Sequence, residues 1–147
     1  MRNRWVMSEQ NAMVVRQMVD RVLNDRDLAA LDQFVAEDFV ELDPFPGQGE
    51  GREGLREVMA GLLATFPDMK WRVEEQVSEG DKVVTRFAWT GTHSADFAGV
   101  PASGRAVSVK GVVIDRLRDG LLVDSRMLSD DLGMMRQLGA LQDGPAA

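Results

Sequence analysis

KVVTRFAWTGTH (Lys82 to His93), GRAVSVKGVVIDRLR (Gly104 to Arg118) and LLVDSRMLSDD (Leu121 to Asp131) decide the fold. They read as three long β-strands separated by two turns. In the first, Val83, Thr85, Phe87, Trp89 and His93 share one parity, while Lys82, Val84, Arg86 and Ala88 share the other. In the last, Leu122, Asp124, Arg126, Leu128 and Asp130 are expected on one face, opposite Val123, Ser125, Met127 and Ser129.

Upstream lies helical material able to cover such a sheet. Ser8 is a plausible N-cap for a helix running to about Asn24, with Val14, Val15, Met18, Val22 and Leu23 as its apolar stripe. Residues 1–7 read as a loose arm. Asp27 can cap a short helix through Asp32, followed by a brief strand near Phe39 to Leu42. DPFPGQGEG (Asp43 to Gly51) carries two prolines and three glycines and reads as a loop. A helix from Arg52 stops at Phe66-Pro67, because the residue before proline is pushed away from helical dihedrals. Met69 to Val77 alternates as a half-buried strand, with Met69, Trp71, Val73, Glu75 and Val77 on one face. Glu79-Gly80-Asp81 turns into the central strands. LGMMRQLGAL reads as a short amphipathic helix, and the tail QDGPAA as frayed.

Helices followed by strands with short turns imply one α+β domain over residues 1–147, with antiparallel pairing. The expected architecture is a cone-shaped, curved antiparallel sheet covered by the N-terminal helices, enclosing a small-molecule cavity. A formal net charge of −7 gives no attraction to nucleic acid or an anionic membrane surface. With no cysteine, disulfides, thiolate nucleophiles and thiolate metal sites are excluded. No signal peptide and no apolar run of about 18 residues is apparent, so a cytoplasmic protein is expected. Phosphate loops, dinucleotide fingerprints and serine-nucleophile elbows are lacking, so covalent catalysis has no candidate, and a lone histidine without HExxH spacing is weak evidence for a metal.

Polar side chains within the apolar strands are the candidates for chemistry. Asp130 stands where the last strand meets the C-terminal helix; a carboxylate desolvated there by aromatic rings would exchange a proton near neutral pH, or it caps the helix. Asp124 and Arg126 form either a charge ladder with Arg86, Lys110 or Arg116, or polar fixtures in a cavity. His93, the one histidine, is a candidate base at a strand end or an ordinary hydrogen-bonding residue. The expected catalytic set is therefore Asp130, Asp124 and His93. The expected substrate-binding set is Trp71, Arg86, Phe87, Trp89, Lys110 and Arg126.

The segment from Phe66 to Leu141 resembles the SnoaL-like polyketide cyclase family, within the NTF2-like superfamily. The resemblance is carried by Phe66-Pro67-Asp68, Gly80-Asp81 with Val83 and Arg86, Gly91-Thr92-His93, Gly99 with Pro101 and Ser103-Gly104, and Asp130 with Leu132-Gly133 and Gln137-Leu138-Gly139. It implies the cone fold, a homodimer formed through the sheet, a hydrophobic pocket and no cofactor. It also implies an aspartate acid/base acting in the intramolecular aldol closure of a carbonyl-rich substrate. Where the family often has Glu-His-Trp followed by an acid, this chain has Asp124-Ser125-Arg126 followed by Met127. An epoxide hydrolase or isomerase on the same fold, and a non-catalytic ligand-binding or dimeric module, stand beside the cyclase as alternatives.

Overall fold

The computed structural model describes residues 4–141. Helix α1 (Arg4–Met18) runs without a break into a π-helical segment, Val19–Asn24. The helix begins before Ser8, so Ser8 is not its cap; buried, it donates to the Gly80 carbonyl across the domain at 3.3 Å. The expected loose arm is thus helical from Arg4, and residues 1–3 lie outside the described residues. Asp27 does cap, accepting from the Ala30 N–H at the start of a 3-10 turn, Leu28–Gln33. Strand β1 (Val35–Glu41) follows, then the proline-rich loop and helix α2 (Gly51–Thr65). Phe66, ahead of Pro67, leaves helical geometry at φ −123° and ψ 76°.

Strands β2 (Lys70–Glu79), β3 (Lys82–Thr92), β4 (Ala106–Arg118) and β5 (Leu121–Ser129) form an antiparallel meander. Helix α3 (Asp131–Gln137) closes the described chain; the tail expected to fray, residues 142–147, lies outside it.

The sheet corrects the expected cone. It is an open sheet ordered β1-β5-β4-β3-β2, neither closed nor strongly curled, and it is mixed because β1 runs parallel to β5. Closure would require β1 to pair with β2. Instead α2 packs against β1 and α1 against β2, so helices rather than curvature cover the inner face. No hairpin ties β1 to its neighbour, which leaves it free to join β5 in parallel.

Two bulges correct the expected strand faces. In β2, Val73 opposes Phe87 but Glu75 opposes Arg86, so Glu74 is the extra residue. Beyond it the parity inverts: Val77 is 66% exposed, and Gln76 turns in to donate to the Thr85 hydroxyl at 3.2 Å. In β5, Leu122 opposes Leu117 and Asp124 opposes Arg116, so Val123 is extra. Leu122 and Ser125 therefore both point inward, while Arg126 and Leu128 are exposed. Strand β3 has no bulge against β4, and Val83, Thr85, Phe87 and Trp89 are all buried on its inner parity.

The core has two parts. One joins α1, the π segment and the 3-10 turn to Phe39, Val83 and Leu122. The other gathers Phe66, Met69, Phe87, Trp89 and the valines of β4 against α3. Each large side chain removed from water here contributes about 1.5–3 kcal/mol.

Candidate active site

Between the inner sheet face and the helices lies a cavity of about 370 Å³. Its walls follow from helical and strand periodicity. Val15, Met18 and Val19 line it from the first helix and its π extension, and Leu55, Val58, Met59 and Leu62 from α2. Trp71, Phe87 and Trp89 line it from the sheet, with the Trp71 and Phe87 rings 4.5 Å apart. The loop Asp43-Pro44-Phe45-Pro46 and the start of α3 complete the wall. Gly111 lets the sheet pack closely here: a Cβ would lie 2.6 Å from both the Phe87 ring and the Leu128 carbonyl oxygen.

Within these apolar walls the ionisable lining residues are all acidic: Glu41, Asp43, Asp115 and Asp131. Asp115 is on β4, on the inward parity with Val107, Val109, Val113 and Leu117, and is 2% exposed. Its side-chain partner is Ser125, directly opposite on β5, whose hydroxyl donates at 2.7 Å. Burial pushes the Asp115 carboxyl up to about 7; the Ser125 hydrogen bond works against this and the charge of Asp124 adds to it. Glu41, at the end of β1, is half-buried, with its Oε1 3.4 Å from the Asp43 amide. It too is pushed up to about 7, first by burial, opposed by that amide, and further by the charges of Asp115 and Asp43. A carboxyl poised near neutrality in an apolar cavity can both take and give a proton.

The residues proposed from sequence divide between the two faces. Trp71, Phe87 and Trp89 line the cavity; Asp130, Asp124, His93, Arg86, Lys110 and Arg126 are not among its lining residues. Asp130 caps α3, its Oδ1 accepting from the Gly133 N–H at 2.9 Å. A Cβ on Gly133 would lie 2.3 Å from Asp130 Oδ2, which explains a glycine there. Asp124 accepts from Arg116 Nε at 2.7 Å, and Arg86 Nε donates to Glu75 at 2.8 Å. Lys110 and Arg126 are exposed on their strands. His93 is fully buried near Phe66. Its Nδ1 accepts the Ser103 N–H at 3.1 Å, which puts the ring proton on Nε2, a buried atom without a partner. Among the described residues, no three His, Asp or Glu side chains form a metal-binding group.

Sequence reasoning missed Asp115 and Glu41. The signal for Asp115 was one acid in an otherwise apolar parity row of β4. It was masked because the opposite row also carries Val112 and Ile114. Glu41 had no such signal, since the expected strand around it was short and unpaired.

Helices over one face of a mixed sheet, with a cavity between, define the NTF2-like class of small α+β domains. Residues 13–138 match the SnoaL-like polyketide cyclase family, and the chain belongs to it. It is similar to the aklanonic acid methyl ester cyclase DnrD of Streptomyces peucetius, 37% identical over 90 residues. That match takes in 60% of this chain and 62% of DnrD, so the chain spans about three-fifths of the length of that relative. IdmH of Streptomyces antibioticus is 35% identical, with 88% of this chain and 99% of IdmH covered and a TM-score of 0.77. TsrD of Streptomyces laurentii is 32% identical, covering 88% of this chain and 97% of its own, with a TM-score of 0.80. A SnoaL-like protein of Jannaschia sp. CCS1 is 28% identical, covering 97% and 100%, at 0.84. Among the described residues, no helix is long and apolar enough to cross a membrane.

Proposed function

We propose that the protein closes a ring by an intramolecular aldol reaction on a hydrophobic, carbonyl-rich small molecule, with Asp115 as the acid/base group. The observation that carries this is a carboxyl buried in the wall of an apolar cavity that aromatic rings also line, without a cationic partner in the lining. As carboxylate, Asp115 takes a proton from a carbon flanked by carbonyls. The carbon's electron pair, spread over the substrate's own conjugation, then attacks a second carbonyl of the same molecule. The new alkoxide takes up a proton. The apolar walls hold the chain folded so that the reacting carbons meet, which makes the step effectively unimolecular. Similarity to an enzyme named as an ester cyclase favours ring closure over epoxide opening or isomerisation. A homodimer belongs to the same reading, with the exposed Val112 and Ile114 of the outer sheet face against a second copy. A cytoplasmic location belongs to it as well.

The test is turnover of aromatic polyketide methyl esters by the purified protein, followed as ring-closed product by mass spectrometry. Asp115→Asn lowers the rate by about 10²–10⁴-fold. Asp124→Asn and Asp130→Asn leave it within a few-fold, since asparagine also caps a helix. Full activity of Asp115→Asn, or loss of activity in Asp130→Asn alone, sinks the assignment.

A further inference from the structure

We infer that Glu41 is a second catalytic residue, forming with Asp115 a base-and-acid pair in which Ser125 assigns the roles. The inference rests on the acid/base reading of Asp115 above. Glu41 on β1 pairs in register with Ser125 on β5, and Ser125 pairs with Asp115 on β4. The three side chains form one row across three adjacent strands, and all three line the cavity. With strands about 4.8 Å apart, the two acids branch from backbones roughly 10 Å apart, on either side of a small serine.

Ser125 breaks the symmetry of the pair. Its hydroxyl has one proton to donate, and that proton goes to Asp115 at 2.7 Å. The bond stabilises Asp115 as the anion. Glu41 receives only a long contact from the Asp43 amide, at 3.4 Å. Repulsion between two carboxylates falls on whichever ionises second, and here that is Glu41. When the pair holds a single proton, these bonds favour an Asp115 carboxylate facing a Glu41 carboxylic acid.

Such a pair supplies both proton transfers of an aldol closure without waiting for solvent. Asp115 takes the proton as the C–H bond breaks. The released electron pair forms the new C–C bond, and the C=O π pair moves onto oxygen. Glu41 gives its O–H proton to that oxygen. The pair ends with the same number of protons, now on Asp115, and resets by passing one back to Glu41.

The other charges facing the pair are few. Asp43 stands beside Glu41, Asp131 lines the cavity at α3, and Asp124 lies outward of Asp115 with Arg116 beyond it. The lining residues of α1, α2, β2 and β3 carry no charge.

Carboxyl carbon NMR across pH on the ligand-free protein tests the pairing without a substrate. In Asp115→Asn, the Glu41 titration moves down by about one pH unit or more. In Ser125→Ala, the Asp115 titration moves up. A Glu41 titration that stays put in Asp115→Asn overturns the inference, whether or not a substrate has been found. Once turnover is measured, wild type gives a bell-shaped pH–rate profile and Glu41→Gln loses the limb that falls at high pH, with kcat down about 10²-fold. Wild-type kcat and an unchanged bell in Glu41→Gln also overturn it. Absence of turnover in wild type, with the coupled titration intact, instead counts against the ring-closure reading and leaves the pair standing.

Discussion

Asp115 and Asp124 occupy neighbouring strands of one sheet, on opposite faces, and each is held by one side chain. Asp124 meets a guanidinium at the surface; Asp115 meets a serine hydroxyl inside. The difference lies in what replaces water. Arg116 brings a full opposite charge and two donors, so Asp124 serves as half of an ion pair. Ser125 brings a single dipole, too little to offset burial, and the Asp115 carboxyl is left raised to about 7. The same contrast extends along both faces: aromatic and aliphatic side chains inward, charge pairs outward. Substitutions that set one face against the other can break it or sharpen it.

The largest contrast is in stability. Phe87 is 1% exposed, packs on Trp71 and lies over Gly111. Phe87→Ala enlarges the cavity beyond what the neighbours can fill and costs about 3–5 kcal/mol in chemical denaturation. Arg86, its neighbour in sequence, points outward to Glu75, with about half of its side chain in solvent. Arg86→Ala costs far less, because a solvent-exposed ion pair contributes little to stability. Equal losses for the two would mean that the faces are not distinguished as described.

Asp115→Asn sharpens the contrast in a pH-dependent way. The folded-state pKa is raised above the ordinary aspartate value of 3.8 to about 7, so the folded protein holds a proton that the unfolded chain has released. Stability from this group is complete below about pH 4 and is lost as pH rises to about 7. A rise of that size is worth about 4 kcal/mol at most. Asparagine keeps the shape and cannot ionise. The variant is therefore more stable than wild type at pH 8, by on the order of 2 kcal/mol, and close to it at pH 4. Thermal melts across this range read the crossover; a variant less stable at pH 8 than wild type would refute a buried carboxylate without a cationic partner.

The family motifs were legible because they hold the scaffold. Asp68 of Phe66-Pro67-Asp68 accepts from the Thr92 amide and hydroxyl, both at 2.7 Å, tying that segment to Gly91-Thr92-His93. Gln137 of the C-terminal motif makes paired bonds to the Ser108 backbone, at 2.7 and 2.9 Å. Asp130 caps the helix that carries it. These are local geometries with strong residue preferences, so they leave marks in the chain. The inner face of β3 was equally legible, since unbroken alternation carries over directly. What escaped was non-local. The bulges at Glu74 and Val123 invert a strand's faces without any glycine or proline at the site. The parallel seat of β1 depends on a partner strand far along the chain, and the seat brings Glu41 to Ser125. The reading of Asp130 rested on its place at the strand's end, where it caps α3, while that of Asp124 as a cavity fixture assumed one uninterrupted parity along β5. Val123 removes that premise, turning Ser125 inward and leaving Asp124 beside Arg116.

The smallest expected effect probes the link between the faces. Asp124→Asn removes the charge that Arg116 faces in a partly exposed pair, costing about 0.2–1 kcal/mol. It also removes a negative charge that helps raise Asp115 through the sheet. Asp115 then ionises at lower pH, so the stability lost between about pH 4 and 7 shrinks. The two effects have opposite signs at high pH. The cost of Asp124→Asn is therefore greatest in acid, where Asp115 is protonated in both proteins, and smaller at pH 8. In the Asp115→Asn background the second effect has nothing to act on, and the cost of Asp124→Asn becomes independent of Asp115 ionisation. A double-mutant cycle measured at pH 5 and pH 8 reads this directly: coupling that appears only at the higher pH is the signature of the buried Asp115 carboxylate sensing the outer-face Asp124 through the sheet.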